Sequence, residues 1–516
     1  MTSTDPDGSN GSTWPALTEL RGRLAEIGAL TTAREVLSWD QSTHMPEAGA
    51  RDRGFHMSVL HKLSHELFVS DRTGELLALA DEETAHLPSD HLDAQLVAVV
   101  GRDYRRSSRV PAAFLQRMSL HASEAFHAWR EARPSDDFGK VEPHLEKAVD
   151  LSREFSAYFP AAEHPADPQI DLVDEGFTVA TLRPLFTRLR TELVALLDEL
   201  GDFDGSGGRR PSPFEQYFAP DDQLAAGLAI AQRFGYDLRR GRVDLTRHPF
   251  ATSFGVDDVR ITTRFDENDL TESLFSTLHE TGHALYELGV DPRLSRTPLA
   301  HGASSGVHES QSRLWENLVG RSRPFWRWAG PLLAQRFPEQ LAGATPESLY
   351  RAANSVGRTL IRTEADELTY NLHVIVRFEL ELELLEGTVA VRDLPDAWRS
   401  RYQEYLGVAP ADDRDGVLQD VHWFAGLLGG SFQGYTIGNV LSVQLFEAAE
   451  RAIGPQADGF EAGEFAPLRE WLKREVYAYG RRLAPLDLIA KVTGSGMSVE
   501  PYLAYLRAKF LDLYGR

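Results

Sequence analysis

The chain contains no cysteine in its 516 residues. This excludes disulfides and thiolate metal ligands, so any metal must be held by imidazole and carboxylate groups. No apolar run approaches the roughly 20 residues that a membrane-spanning helix needs. Met1 to Thr13 is polar, with Asp5 and Asp7 where a secretory leader carries basic and then apolar residues. These absences point to a cytoplasmic protein with no membrane partner. Basic residues are few relative to acidic ones, 54 against 77, and the resulting net charge of -23 argues against a nucleic-acid partner, whose phosphates would be repelled. Internal repeats are missing, and so is any linker between independent domains. The chain therefore reads as a tail without fixed structure over 1–13 and a single domain over 14–516. The stretch from Gly201 to Pro213 is its most flexible internal loop.

What is present is helical periodicity. Apolar residues three and four apart predict helices over 15–37, 55–80, 108–131, 181–200, 221–234, 347–385, 437–453 and 498–514. The fold class is mainly α. The clearest strand is 259–265, where Val259, Ile261 and Phe265 alternate with Arg260, Thr262 and Arg264. It predicts a small sheet beside the helix that follows.

That next helix carries His279-Glu280-Thr281-Gly282-His283. On a helix, positions four apart share a face, so both imidazoles can bind one metal while Glu280 projects beside them to handle a proton. A strand just before such a helix resembles the cleft-edge strand of HExxH peptidases, to which a peptide can add as a further strand. Leu274, Leu278, Leu285 and Leu288 form the buried stripe; Asp269 with Glu272 suggests a capping box, and Gly289 a stop. A catalytic zinc wants three protein ligands and one open position. The extended motif with a third histidine on the same stretch is excluded, because Tyr286 and Gly289 stand where its glycine and histidine belong. The next candidate is Glu309, at the start of a predicted second helix over 308–317. His301, His308 and Glu316 compete with it, although a neighbour at the same helix start, as His308 is, more often orients the carboxylate or meets substrate.

Two more constellations carry chemistry. Arg358, Arg362, Asp366, Tyr370, His373 and Arg377 would form one polar stripe if 347–385 were a continuous helix. The stripe is either a solvated face of ion pairs or the lining of a groove. In the second case Arg362 is the cation that would grip a substrate's terminal carboxylate. In Gly416 to Trp423, His422 is either a satisfied core histidine or a donor to a developing oxyanion.

Taken in order, six blocks resemble the M32 metallocarboxypeptidases, the carboxypeptidase Taq family: His248-Pro249-Phe250, Asp258 to Thr262, His279 to His283, His308-Glu309-Ser310-Gln311, Ile361 to Asp366, and Gly416 to Trp423. Ser38-Trp39-Asp40-Gln41 and Met45-Pro46 extend the likeness to the opening helices. Gly429 to Asn439 departs from the family pattern, lacking a proline and a tyrosine and running one residue longer, which bears on cleft shape and residue preference. The resemblance implies a large helical peptidase fold with a deep groove, and a homodimer that takes peptides with a free C-terminus. It implies broad preference except for proline, and one Zn2+ per chain, replaceable by Co2+. It further implies His279, His283 and Glu309 as metal ligands and Glu280 and His422 as catalytic residues. Arg362, His248, Arg260, Asp366, Gln419 and Tyr435 become the substrate-contacting positions. Two other readings stay open: a thimet-type zinc oligopeptidase that cuts inside short peptides, and a peptide-binding scaffold without catalysis.

Overall fold

Apolar residues spaced three and four apart become buried helix faces through most of the chain. The computed structural model describes residues 14–201 and 212–515. The predicted tail over 1–13 and most of the predicted loop over 201–213 lie outside them. Helices at Pro15–Thr43, Ala112–Ser135, Val179–Leu200, Pro220–Phe234, Gln433–Ile453 and Glu500–Tyr514 answer six predicted ones. The helix expected over 55–80 is broken in two, Ala50–Phe68 and Asp71–Thr84, because Ser70 turns to extended geometry and its side chain accepts from the Thr73 amide to start the second. Among the described residues no helix is long and apolar enough to cross a membrane.

The expected long helix over 347–385 does not form. A helix covers Pro346–Ala353, the chain leaves it at Asn354, makes one 3-10 turn at Arg362–Glu364 and becomes α-helical again at Tyr370–Glu386. Asp366 sets the new start. Its carboxylate accepts from the amides of Leu368 at 2.9 Å and Thr369 at 3.1 Å and from the Thr369 hydroxyl at 2.8 Å. This local bonding competes with a helical ladder and favours a helix beginning. Of the predicted polar stripe, only Tyr370, His373 and Arg377 therefore share a helix; Arg358, Arg362 and Asp366 lie before it.

Three strands form the sheet: β1 (Val243–Leu245), β2 (Ala251–Gly255) and β3 (Asp258–Thr263), in the order β1-β3-β2. The strand predicted at 259–265 is real, but it is central rather than an edge. It pairs parallel with β1 and antiparallel with β2. Val259 and Ile261 bury against Ala284 and Leu288 of the helix carrying the HExxH motif, so the sheet is seated directly on that helix. The free edge that faces the cleft belongs to β2. Ala251, Thr252 and Ser253 line a cavity of about 220 Å³ together with Glu35 of the first helix and Glu287, His301 and His308.

The site is positioned by three helices: the HExxH helix Leu270–Gly289, the helix Ser305–Arg313 that widens into a π-helix at Leu314–Val319, and Gln433–Ile453. Leu274, Leu278, Leu285 and Leu288 are all buried as expected. Asp269 does cap the first of these helices, accepting from the Thr271 amide at 2.8 Å. Glu272 does not complete a capping box; it pairs with Arg264. Gly289 is the last helical residue, and the chain turns off at Val290.

Candidate metal centre and the wall that faces it

Two glycines let the three helices approach. A Cβ on Gly282 would stand 2.5 Å from the Gln311 carbonyl oxygen and 2.6 Å from the Ser312 Cα, and one on Gly438 would stand 2.4 Å from the Glu309 Cγ. With hydrogen at both positions, the Glu309 helix is clamped between its neighbours and its carboxylate is aimed at the HExxH face. One donor atom each from His279, His283 and Glu309 then lies within 4.8 Å of the others. Both Nε2 atoms point to the same carboxylate oxygen, Glu309 Oε2, at 3.7 Å from His279 and 3.5 Å from His283.

The surroundings suit a cation at that point. Burial pushes Glu309 up, but the guanidinium of Arg313 and the two imidazoles overcome it and hold the carboxyl well below its usual range. Arg313 Nε donates to Oε1 at 2.7 Å, and Oε2 faces the histidines while accepting from the Ser312 hydroxyl at 3.3 Å. Burial drops His283 to about 4, so its ring is neutral and a nitrogen lone pair is available. His279 is raised: burial lowers it, and the charges of Glu309 and Glu316 more than compensate. Its Nδ1 donates to Glu316 Oε2 at 2.9 Å. Burial raises Glu316, but Arg313, His279 and Arg321 together pull it to about 2, so it is an acceptor only. Two imidazoles and an ionised carboxylate are the donor set a catalytic divalent metal takes in a chain without thiols. Glu280 is 6% exposed, its Oε2 makes no hydrogen bond, and burial pushes it up to about 7. A carboxyl near neutrality is poised both to take and to return a proton.

His308 and Glu316, which competed for the third position, stand one shell further out. Glu316 holds His279, and His308 lies between His283, at 2.6 Å, and Glu287, at 3.0 Å. His301 is exposed and 3.4 Å from Glu287.

The facing wall gathers on Asp420. Arg362 donates to it from Nη2 at 2.8 Å and Nε at 3.1 Å, and Arg377 donates to it as well. Two guanidinium groups on one carboxylate leave a net positive charge in a buried place. Arg362 Nη1 donates to the Tyr370 hydroxyl at 3.1 Å, and its guanidinium lies over the rings of Tyr435 and Phe432. His422 approaches Asp420 through Nδ1 at 3.6 Å and the Tyr435 hydroxyl through Nε2 at 3.3 Å. Phe432, from the divergent segment, packs on the His422 ring. Arg362, His422 and Tyr435 therefore come together as the sequence suggested.

Other predicted positions land elsewhere. Gln419 is spent on the protein: Oε1 accepts from the Arg362 amide and from Arg377, and Nε2 donates to the carbonyls of Leu360 and Asp415. Asp366 is spent on the helix start. Arg260 forms a two-point pair with Asp258 and lies between the rings of Trp39 and Phe254, which ties the first helix to the sheet. His248 is exposed in the β1–β2 connection. Arg358 caps the Leu406 carbonyl. The sequence reading gave no role to Arg313 or Glu287, and none to Asp420 beyond a buried pair with Gln419. It listed Tyr370 and Arg377 without their roles. Tyr370 links the two walls, with Arg313 over its ring at 4.3 Å and Arg362 on its hydroxyl.

Residues 19–510 match the family model described as carboxypeptidase Taq (M32) metallopeptidase. The chain belongs to this family. A thermostable carboxypeptidase 1 of Thermus thermophilus is 40% identical over 505 residues, 95% of this chain and 96% of that one. Carboxypeptidase 1 of Bacillus subtilis is 36% identical, with 95% and 97% covered. The crystal structure of an M32 carboxypeptidase from Deinococcus radiodurans superposes with a TM-score of 0.93 at 47% identity, covering 97% of this chain and all of that one. This M32 protein is thus a metallocarboxypeptidase with the family's helical fold, acting on peptides and using a metal ion. That membership favours a carboxypeptidase over the oligopeptidase and scaffold readings.

Proposed function

We propose that this M32 carboxypeptidase uses Zn2+, with Co2+ able to replace it, to release single C-terminal residues from peptides, with broad preference and poor release of proline. The observation that carries the reading is the convergence of His279, His283 and Glu309 beside a buried Glu280 with an uncommitted oxygen. These three residues would hold the metal, which when bound supplies a Lewis acid that polarises the scissile carbonyl and makes water a better nucleophile. Glu280 accepts a proton from the attacking water and returns it to the leaving amine. The positive cluster of Arg362 and Arg377 on Asp420 offers the terminal carboxylate its counter-charge, and the pairing with Asp420 holds Arg362 in place for it. His422, braced by Tyr435, donates toward the oxyanion. His248 and Arg260 line the approach, Arg260 fixed by its aromatic neighbours. Upstream residues of the peptide add as a strand to the free edge of β2. Gln419 and Asp366 act through the backbone segments they hold. The protein works in the cytoplasm as a homodimer.

Mass spectrometry of one peptide, offered as the free acid and as the C-terminal amide, with Zn2+, with Co2+ and with chelator, tests this. Stepwise loss of single residues from the free acid alone, abolished by chelator, is the expected result. Internal cuts in both forms would defeat it.

A further inference from the structure

Seen from the cleft, the two HExxH histidines are braced differently: His279 by a carboxylate directly, His283 by another imidazole. We propose that Glu287 and His308 form a relay that positions His283 for metal binding, so that metal affinity, not fold stability, is what the pair sets. The inference rests on the metal-centre reading above.

Glu287 lies one helical turn beyond His283 and is 6% exposed. Its Oε1 accepts twice, from the Gly302 amide at 2.9 Å and from His308 Nε2 at 3.0 Å. A carboxylate so engaged is an acceptor, which places the His308 proton on Nε2 and leaves the Nδ1 of a neutral ring with a lone pair. That lone pair stands 2.6 Å from His283 Nδ1. His283 must then carry its proton on Nδ1, and its Nε2 lone pair faces Glu309 Oε2. The other tautomer would set two lone pairs against each other at 2.6 Å and put an N–H where the metal belongs. The relay is also fixed sterically. A Cβ on Gly302 would stand 2.6 Å from the His308 ring, and Tyr286 packs on that ring with centroids 5.1 Å apart. Glu287 and His308 are therefore positioning residues, which act on the metal only through His283.

The test is Co2+ titration of chelator-stripped full-length protein, followed by visible absorption, alongside thermal melting of the metal-free form. His308→Leu breaks the relay. His308→Gln preserves it, since its amide oxygen can accept from His283 and its amide nitrogen can donate to Glu287. The leucine variant is expected to raise the Co2+ Kd roughly 10- to 100-fold with an altered Co2+ spectrum, and the glutamine variant to recover most of that loss. Metal-free melting should be similar in both. Wild-type affinity and spectrum in the leucine variant would overturn the relay, as would a glutamine variant as weak as leucine. Should the leucine variant not fold, Glu287→Gln keeps an acceptor of the same size. It is expected to weaken Co2+ binding less severely, and an unchanged Kd would overturn the proposal. A wild-type chain that takes up no Co2+ would defeat the metal-centre reading and the relay with it.

Discussion

The metal side of the cleft takes its donors from two helices that cross at Gly282, all between His279 and Glu309. The facing wall takes its residues from a 3-10 turn at Arg362, a helix holding Tyr370 and Arg377, a loop holding Asp420 that runs into a 3-10 turn at His422, and the first turn of the Gln433–Ile453 helix, which holds Tyr435. On the first side, backbone geometry alone sets two ligands side by side, and each has its own brace. On the second, nothing in the local backbone brings the residues together, and one carboxylate, Asp420, holds them. The difference separates failures of chemistry from failures of assembly.

The largest effect should come from Glu280, the proposed proton carrier on the metal side. Glu280→Gln keeps size and burial and leaves all three metal-facing donors in place. It is expected to cost about 10²- to 10⁴-fold in kcat while metal content, read by elemental analysis, stays near one per chain. An active, metal-replete variant would remove Glu280 from the mechanism. Glu309→Ala should instead show its loss first in metal content, because two neutral imidazoles remain where an ionised carboxylate completed the set. Full metal content with activity gone would mean that the third ligand lies elsewhere.

On the facing wall the expected signature is different. Asp420→Ala leaves two buried guanidinium groups without their shared counter-charge, a loss of about 3–5 kcal/mol by analogy with other broken buried pairs. The melting temperature should fall and KM should rise while metal content holds. A variant that melts like wild type and loses metal would invert the comparison between the two walls.

The contrast also explains what could be read from the residues. His279, Glu280 and His283 were legible because i, i+4 spacing is a property of the helix itself, and Glu309 because it opens the next helix after a loop-rich return. Their braces were only partly so: Glu316 reads as a competing ligand, while His308 reads as a group that orients a neighbour or meets substrate, and a sequence does not say which side chain it braces. The β3 strand was found, but its place in the sheet was misjudged, because a strand's own alternation says nothing of how many neighbours it has. On the facing wall, Arg362, Tyr370 and Arg377 do meet, though not on the single helix their spacing suggested. Asp366 bonds the amides of Leu368 and Thr369, a side-chain device that a polarity pattern cannot register. Asp420, some 58 positions from Arg362, left no local signal as their common partner.

Helix contact at Gly438 offers a finer way to disturb the metal side without touching a ligand. Gly438→Ala inserts a methyl where 2.4 Å separates the site from Glu309 Cγ, and overpacking of this kind costs about 1–3 kcal/mol. Because the displaced atom belongs to Glu309, weaker Co2+ binding should accompany the lower melting temperature. Lower stability with unchanged metal affinity would mean that the Gln433–Ile453 helix yields instead and that Arg313 and Ser312 suffice to hold Glu309.

The smallest expected effect lies behind the facing wall, at Glu381. It is fully buried, accepts from the Trp423 indole at 3.0 Å, and has a second oxygen that makes no hydrogen bond. Burial raises it from 4.5 to about 8. The folded protein therefore holds a proton there that the unfolded chain has released, throughout the interval between those two values. The sign follows from linkage: this contribution to stability is full below about pH 4.5, declines as the pH rises, and is gone above about pH 8. Glu381→Gln, which cannot ionise, should melt within a few degrees of wild type at pH 5 and above it at pH 9. Melting curves of both proteins across that range decide the matter. Parallel curves would mean that the loop from Trp423 to Gly429 admits enough water to keep its carboxyl near the ordinary range.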